Sequence, residues 1–570
     1  MSRDLTCRTP APRKHRRRRA LKALALACLV LAALALAASW YVEWRCIARP
    51  PAIEGRPAIV SAPVRESAGV RRIGDSWLAR KDGILRMYLA GDPFTLGYSN
   101  AALSRQYLRR QEEELVEFVH RTIPSPTQRW LLRKYVLWRN RDLPDFIAPE
   151  HQAEIYGLAR GGEDAFPEIA PLYHRLVNYH AAHDIAHALM DHPLVACTSF
   201  AAWGSHTADG HLLMGRNFDF NAVPSFDANK IVMRVKPASG LGFLSVAWPG
   251  SAGSVTGMND ARIAIAVNAG QSADVRTIGT PVCLVVRRAL QEARTLDEAV
   301  DIIRQSRVFV TDSYLVADGK IGKAVVVEKT PARCDVRPAT GEAIICSNHF
   351  LCDSLKSDPL NARAMEETTC VARHARMEAL IAAEKGVLTP PGAARILRDT
   401  RVAGDRDAGL GNPAAINMLI ATHSVIMDAT DGILWVSAGP HSLGPYVPFS
   451  LAEFDSPQGA AVLPADPILA DGSYARYKRS AALVSEAMAL MAVGRPADAE
   501  EPLEEAARLN PGFYVPPLLL GRIALARLDW RGADALLRQA QDCHIPTRAE
   551  RAMVQKMREK IRDAAGAGQP

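Results

Sequence analysis

Between Ala23 and Val42 the chain carries 20 consecutive residues of which only Ser39 is polar. No other feature constrains the fold so tightly, because inside a bilayer a lone run of this length satisfies its backbone only as an α-helix. A basic tail precedes it. Residues 1–22 hold nine Lys and Arg against a single acid, Asp4, which accounts for the whole formal charge of +8. The rest of the chain balances to zero, so the basic character belongs to a cytoplasmic tail and is not a nucleic-acid surface. Trp40, Tyr41 and Trp44 suit the outer interface. We expect a single-pass anchor over 23–43 in a bacterial inner membrane, with everything beyond it on the periplasmic side. A cleaved signal peptide with Ala35-Leu36-Ala37 as its cutting site is the alternative, and it exports the remainder equally.

At 570 residues the chain exceeds one ordinary domain. Residues 44–75 are rich in Pro, Gly and Ala and read as a linker. Residues 76–196 read as mostly helical, with Ala102 to Thr122 and Phe166 to Met190 as examples. From 197 to 455 the texture changes to short β-like runs, among them Leu241–Trp248, Ile263–Asn268, Lys323–Glu328 and His423–Asp428. Helical stretches at 281–304 and 370–398 interrupt them. Strands grouped apart from helices imply an α+β layered domain. Residues 456–473 read as a second linker.

Residues 474–565 contain a repeat. Ala487, Ala499, Leu503 and Ala506 recur as Gly521, Ala533, Leu537 and Ala540, each 34 residues on. This resembles the tetratricopeptide pattern of small residues at helix contacts. Two repeats are fewer than the three that usually stand alone, so this piece is expected to pack on the enzyme or on a third helix pair, and it offers a surface for a protein partner.

The chemistry concentrates at Cys197-Thr198-Ser199-Phe200 and Gly215-Arg216-Asn217-Phe218-Asp219-Phe220. Two apolar runs flank the turn Ala208-Asp209-Gly210, a hairpin that gathers a thiol, a guanidinium and a carboxylate. A thiol beside Arg⁺ carries a larger thiolate fraction, which nucleophilic attack needs. The chain has ten cysteines. In an exported protein some can pair, and Cys346, Cys352 and Cys370 are the close cluster.

This hairpin resembles the start of the mature catalytic subunit of N-terminal-nucleophile (Ntn) hydrolases, above all the acyl-CoA:6-aminopenicillanic acid acyltransferase family. The choloylglycine hydrolase and acid ceramidase group is a more distant relative. The resemblance implies a four-layer αββα sandwich formed after the precursor cuts itself at Ala196–Cys197. It implies that Cys197 is the nucleophile and its freed α-amine the base. Arg216 and Asp219 would tune the thiol and hold the amine. Asn268, in Ile-Ala-Val-Asn-Ala-Gly, matches the oxyanion-hole asparagine. Asn348, in Cys-Ser-Asn-His-Phe, matches a second asparagine that contacts the amino terminus. Arg373 resembles a late arginine of the family, although the family's serine is Ala372 here, and Arg376 is the alternative. The substrate class implied is a small acyl amide or acyl thioester. No cofactor and no metal is implied.

Two other function classes fit parts of the sequence. One is a non-catalytic, membrane-tethered interaction protein using its helical repeats. The other is a metal-dependent hydrolase centred on His180, His183, Asp184 and His187, where His183 and His187 share a helix face at i, i+4. In that motif Asp184 stands where a metalloprotease has its general-base Glu, and no third ligand is evident.

Overall fold

The computed structural model describes residues 13–55, 57–189, 196–220, 223–274, 276–454 and 458–566. Helix α1 (Arg13–Cys46) contains the apolar run, and its Ala20–Cys46 portion is long and apolar enough to cross a membrane. The stretch read as linker and then helix instead forms four strands: β1 (Arg65–Ser67), β2 (Val70–Ile73), β3 (Ser76–Lys81) and β4 (Ile84–Gly91). Their physical reason lies ahead in the chain, because β4 pairs in parallel with β7 (Ile231–Pro237), Leu85 opposite Ile231 through Gly91 opposite Pro237. Helices α2 (Pro93–Thr122), α3 (Pro126–Arg139), α4 (Pro149–Gly161), α5 (Leu172–His180) and α6 (Ala182–Leu189) follow. Asp92 caps α2 by accepting from the Thr95 N–H, and Ser125 caps α3 in the same way through Gln128. Pro93 and Pro126 stand at the first helical positions, where the missing N–H is harmless.

The expected hairpin is β5 (Thr198–Ala202) with β6 (Leu213–Asp219), antiparallel, Ser199 opposite Arg216. A short helix α7 (Ser225–Ala228) leads into β7, then β8 (Phe243–Ala247), β9 (Thr256–Asn259) and β10 (Ile263–Ala269). Helices α8 (Val282–Glu292) and α9 (Leu296–Gln305) cross back to β11 (Asp312–Asp318), β12 (Lys323–Lys329), β13 (Cys334–Pro338) and β14 (Ala343–Cys346). Helices α10 (Pro359–Glu367), α11 (Cys370–Ala383) and α12 (Pro390–Leu397) precede β15 (Ala421–Asp428), β16 (Ile433–Ser437) and β17 (Tyr446–Ser450).

Two sheets result. One has 11 strands in the order β1-β2-β3-β4-β7-β8-β9-β10-β11-β12-β13; the other has six, β14-β5-β6-β15-β16-β17. Val232, Leu244, Ala264 and Leu315 from the large sheet meet Met214, Val425 and Val436 from the small one in a dry inner layer. On the outer face of the large sheet, Ile265 and Val316 pack under Val282, Val285 and Ile303 of α8 and α9, with Leu96 and Leu103 of α2. On the outer face of the small sheet, Phe200 and Trp435 pack under Met377, Ile381 and Leu397 of α11 and α12. The order helix, sheet, sheet, helix is the expected four-layer sandwich. Gly215 is required by the packing, since a Cβ there would lie 2.3 Å from the Phe200 ring.

The region after the sandwich is all helical: α13 (Ser473–Ala492), α14 (Glu500–Leu509), α15 (Val515–Ala526), α16 (Trp530–Asp542) and α17 (Arg548–Gly566). The eight repeat positions named above are all buried. This piece docks on the sandwich through Asn510, whose amide donates to the Leu410 carbonyl at 2.9 Å and accepts from its N–H at 3.0 Å. The second linker is also tied down, with Leu463 and Tyr446 exchanging two backbone hydrogen bonds at 3.0 Å. The cysteines among the described residues are all free, so no disulfide joins Cys346, Cys352 and Cys370.

One buried group outside the hairpin makes stability depend on pH. Asp312 is 1% exposed and neither carboxyl oxygen has a hydrogen-bond partner. Burial pushes its pKa up to about 8. A carboxyl raised in the folded state contributes most below the unfolded value near 4 and loses that contribution as pH rises through about 8. Asp312→Asn is therefore expected to stabilise the protein by about 1–3 kcal/mol at pH 8 and by little at pH 4–5, read from melting curves across that range.

Candidate active site

Extending the hairpin ladder two steps beyond Thr198–Asn217 sets Cys197 opposite Phe218 and Ala196 opposite Asp219. The Ala196 N–H donates to the Asp219 carbonyl at 3.0 Å, which fixes the backbone on the N-terminal side of Cys197. Cys197 is fully buried, packed with Phe218, Val255 and Ala269, and Trp248 and Cys283 border the cluster. Burial raises the thiol above its ordinary value, and Arg216 pulls the other way without prevailing. The larger thiolate fraction expected from the Arg216 neighbour alone is thus corrected by desolvation.

Arg216 reaches Cys197 Sγ with Nη2 at 3.8 Å. Its Nη1 donates to the Val255 carbonyl at 2.8 Å and to the Thr256 hydroxyl, and its Nη2 also donates to the Val267 carbonyl. These neutral acceptors hold the fork in place without cancelling its charge.

Asp219 is 0% exposed and neither carboxylate oxygen has a hydrogen-bond partner. Burial lifts its pKa to about 7, against the pull of Arg373 and Arg216. An unpartnered carboxylate inside a packed core is costly unless another group arrives to meet it.

Arg373 is 1% exposed and comes from α11. Its Nη1 donates to the Cys197 carbonyl at 2.8 Å and to the Thr198 hydroxyl, and its Nη2 donates to Asn348 Oδ1 at 2.7 Å. Asn348 in turn donates to the Ala269 carbonyl at 2.9 Å. The loop carrying Asn348 is pinned by buried Glu328, which accepts from the Leu351 N–H at 2.9 Å and the Cys352 N–H at 2.9 Å. Gly270 lets Phe350 of that loop approach, since a Cβ there would lie 2.3 Å from the ring. Arg376 is turned elsewhere, onto Asp399 at 2.7 and 2.9 Å and Asp405 at 2.9 Å.

Asn268 lies in β10 beside this group, but its amide donates to the Cys346 carbonyl at 2.9 Å and accepts from the Ser199 hydroxyl at 3.2 Å. One of its two amide N–H groups is therefore engaged within the core.

Sequence reasoning missed His423. Its Nε2 lies 2.9 Å from the Thr256 hydroxyl and 3.5 Å from Arg216 Nη1, and its ring stacks on Phe218 at 5.1 Å. Burial holds it well below the usual imidazole range, so it is neutral. A lone His between Thr422 and Ser424 gives no spacing signal, because only the β15–β6 register brings it here. Also unforeseen is an aromatic wall beside the thiol, Phe218, Phe220, Phe226 and Trp248, with neighbouring centroids 5.2–6.3 Å apart.

Among the described residues, the histidine group before the hairpin forms no cluster of metal-ligating atoms. His180 Nε2 accepts from the Ala252 N–H at 2.8 Å and its Nδ1 faces the Leu176 carbonyl at 2.7 Å, so both nitrogens are used. Asp184 caps α8 through the Val282 N–H at 3.1 Å. The His187 side chain lies outside the described residues. Among the described residues, His211, Asp428 and Asp431 lie close enough to share a cation. His211 and Asp428 form an ion pair at 2.9 Å, and that contact raises the imidazole pKa.

The central domain is similar to a family of acyl-transferases. Residues 205–402 match the family model for acyl-coenzyme A:6-aminopenicillanic acid acyl-transferase. That match begins after Cys197 and contains Arg216, Asp219, Asn268, Asn348 and Arg373. An uncharacterized protein of Archaeoglobus fulgidus is 30% identical over 254 residues, 42% of this chain, and the chain spans 42% of that curated relative's length. The Caenorhabditis elegans N-acylethanolamine-hydrolyzing acid amidase ortholog is 17% identical, covering 41% of this chain and 93% of its own, with a TM-score of 0.31. Penicillin V acylase from Agrobacterium tumefaciens is 15% identical, covering 47% and 90%, with a TM-score of 0.31.

Proposed function

We propose that this chain is an autoprocessing cysteine Ntn enzyme that breaks an amide or acyl-thioester bond through an acyl-enzyme on Cys197. The observation that carries the reading is the unpartnered, buried carboxylate of Asp219, whose residue pairs through its backbone with Ala196 and whose charge acts on Cys197. Hydrolysis of the Ala196–Cys197 peptide would create an α-amine next to that carboxylate, giving it the ion pair it lacks. The amine, with an ordinary pKa of about 7.7–8, is the base that takes the thiol proton. Sγ then bonds to the substrate carbonyl carbon, the amine or thiol leaving group departs with that proton, and water or an acceptor amine releases the acyl group. Arg216 is held within reach of the sulfur. Asn268 and Asn348 are the side-chain amides assigned to the reacting carbonyl, and Asn268 keeps a second N–H for it beside the one given to the Cys346 carbonyl.

The aromatic wall suits an apolar acyl group on a small amide or thioester. No cofactor is needed. Helix α1 anchors the enzyme, as a single-pass protein of the bacterial inner membrane with its catalytic part in the periplasm, and the repeat-like helices offer a docking surface to a protein partner.

The test is the intact mass and N-terminal sequence of purified protein, followed by mass spectrometry of protein quenched with an acyl amide. A new N-terminus at Cys197 and an acyl adduct on that residue are expected. A single uncut chain with no adduct would return the reading to a tethered interaction protein.

A further inference from the structure

Helix α3 has two faces that do not match a helix lying in water. Trp130, Leu131, Tyr135 and Trp138 are 49, 55, 49 and 48% exposed. At about 100° per residue these four fall within roughly 140° of one another, so they form one apolar face. The helix carries Arg129, Arg133, Lys134 and Arg139 and no acidic residue. An exposed apolar stripe with basic flanks is the pattern of a helix lying in the headgroup layer of an anionic bilayer.

Its position relative to α1 supplies the second observation. Glu43 of α1 accepts from Arg133 at 2.7 Å and from Lys134, while Lys134 also reaches the Ser39 carbonyl at 3.4 Å. Arg45 pairs with Asp142 just beyond α3 at 3.6 Å. These contacts hold α3 against the end of α1 that bears Trp40, Tyr41 and Trp44, which are 67, 50 and 54% exposed. The two aromatic sets therefore lie at one level of the molecule. Behind the stripe, α2, α3 and α5 enclose an apolar cavity of about 450 Å³ whose lining includes Val116, Val136 and Leu137. Exposed Val119 and Trp130 also line it, so it reaches the surface beside the stripe.

We infer that α3 is an in-plane membrane helix, which seats the catalytic domain on the anionic bilayer spanned by α1 and sets the α2–α3–α5 cavity against the acyl-chain boundary. The inference rests on α1 lying in that bilayer. The indoles and Leu131 enter the headgroup boundary, and the Lys134–Glu43 contact fixes the angle between anchor and surface helix.

The experiment uses the full chain reconstituted in vesicles of equal parts phosphatidylglycerol and phosphatidylethanolamine, with and without lipid brominated in the upper acyl chain. Four tryptophans are exposed, namely Trp40, Trp44, Trp130 and Trp138. In Trp130→Phe/Trp138→Phe the bromolipid-quenchable share of the emission should fall about twofold, with an unchanged melting curve. An unchanged quenchable share would overturn the inference. Intact mass of the same preparation checks the anchor: a chain that has lost α1 would also overturn the inference, because the bilayer it invokes is the one that α1 spans.

Discussion

Cys197→Ala is expected to leave one uncut chain of about 62.0 kDa and no turnover, where the parent separates under denaturing conditions into residues 1–196 and 197–570. Turnover should fall by roughly 10⁴-fold or more, because one atom serves both as nucleophile in processing and as carrier of the acyl group. Stability should move by only about 1 kcal/mol, since a small buried side chain replaces another. The melting curve therefore distinguishes loss of chemistry from loss of fold. A variant that is still cut and active would move the nucleophile elsewhere. Because burial holds the Cys197 thiol high, activity below its pKa should rise with pH, by up to tenfold per pH unit if thiolate formation limits the rate.

Arg373→Lys is expected to lower processing and turnover by about 100-fold or more and to cost about 2–4 kcal/mol of stability. The guanidinium serves the Cys197 carbonyl, the Thr198 hydroxyl and Asn348 at once. A lysine keeps the charge but cannot span all three, and buried acceptors are left unmet. Arg376→Ala is the control on the same helix. It loses pairs to Asp399 and Asp405 and should destabilise the protein while sparing activity. Equal loss of activity in the two variants, measured on folded protein, would reduce Arg373 to a structural role.

The two residues also show what was legible in the sequence. Arg373 falls three residues after Cys370 in a helix, and its place beside Cys197 follows from the family resemblance although Ala372 replaces a serine. Ala372 packs against Val402, Ala408 and Ala414, an apolar contact that does not disturb the arginine. The hairpin, β10 and β12 were readable as short apolar runs bounded by turn residues, and α8–α9 by their helical spacing. The strands before α2 were not. β1 is exposed throughout, β2 reads Val-Arg-Arg-Ile, and β4 is a nearly continuous apolar run that cannot be told from a helix by periodicity. The raised thiol and the engaged amide N–H of Asn268 were likewise invisible. Burial and long-range pairing decide both, and neither is encoded by immediate neighbours.

Those early strands bear on what proteolysis at Cys197 would make. β4 is an interior strand of the large sheet, joined to β7 along Leu85–Gly91. Cutting the chain at Ala196–Cys197 would leave the sheet whole, with its two sides owned by different polypeptides. The fragments would have no folded existence apart, because separating them bares an open sheet edge and the apolar floor under α2. A sample expressed as two genes is therefore expected to aggregate, and dissociation of the mature pair should coincide with its unfolding. Evolution could lose the covalent link here without ever having to design an interface, because the interface is the interior of one domain.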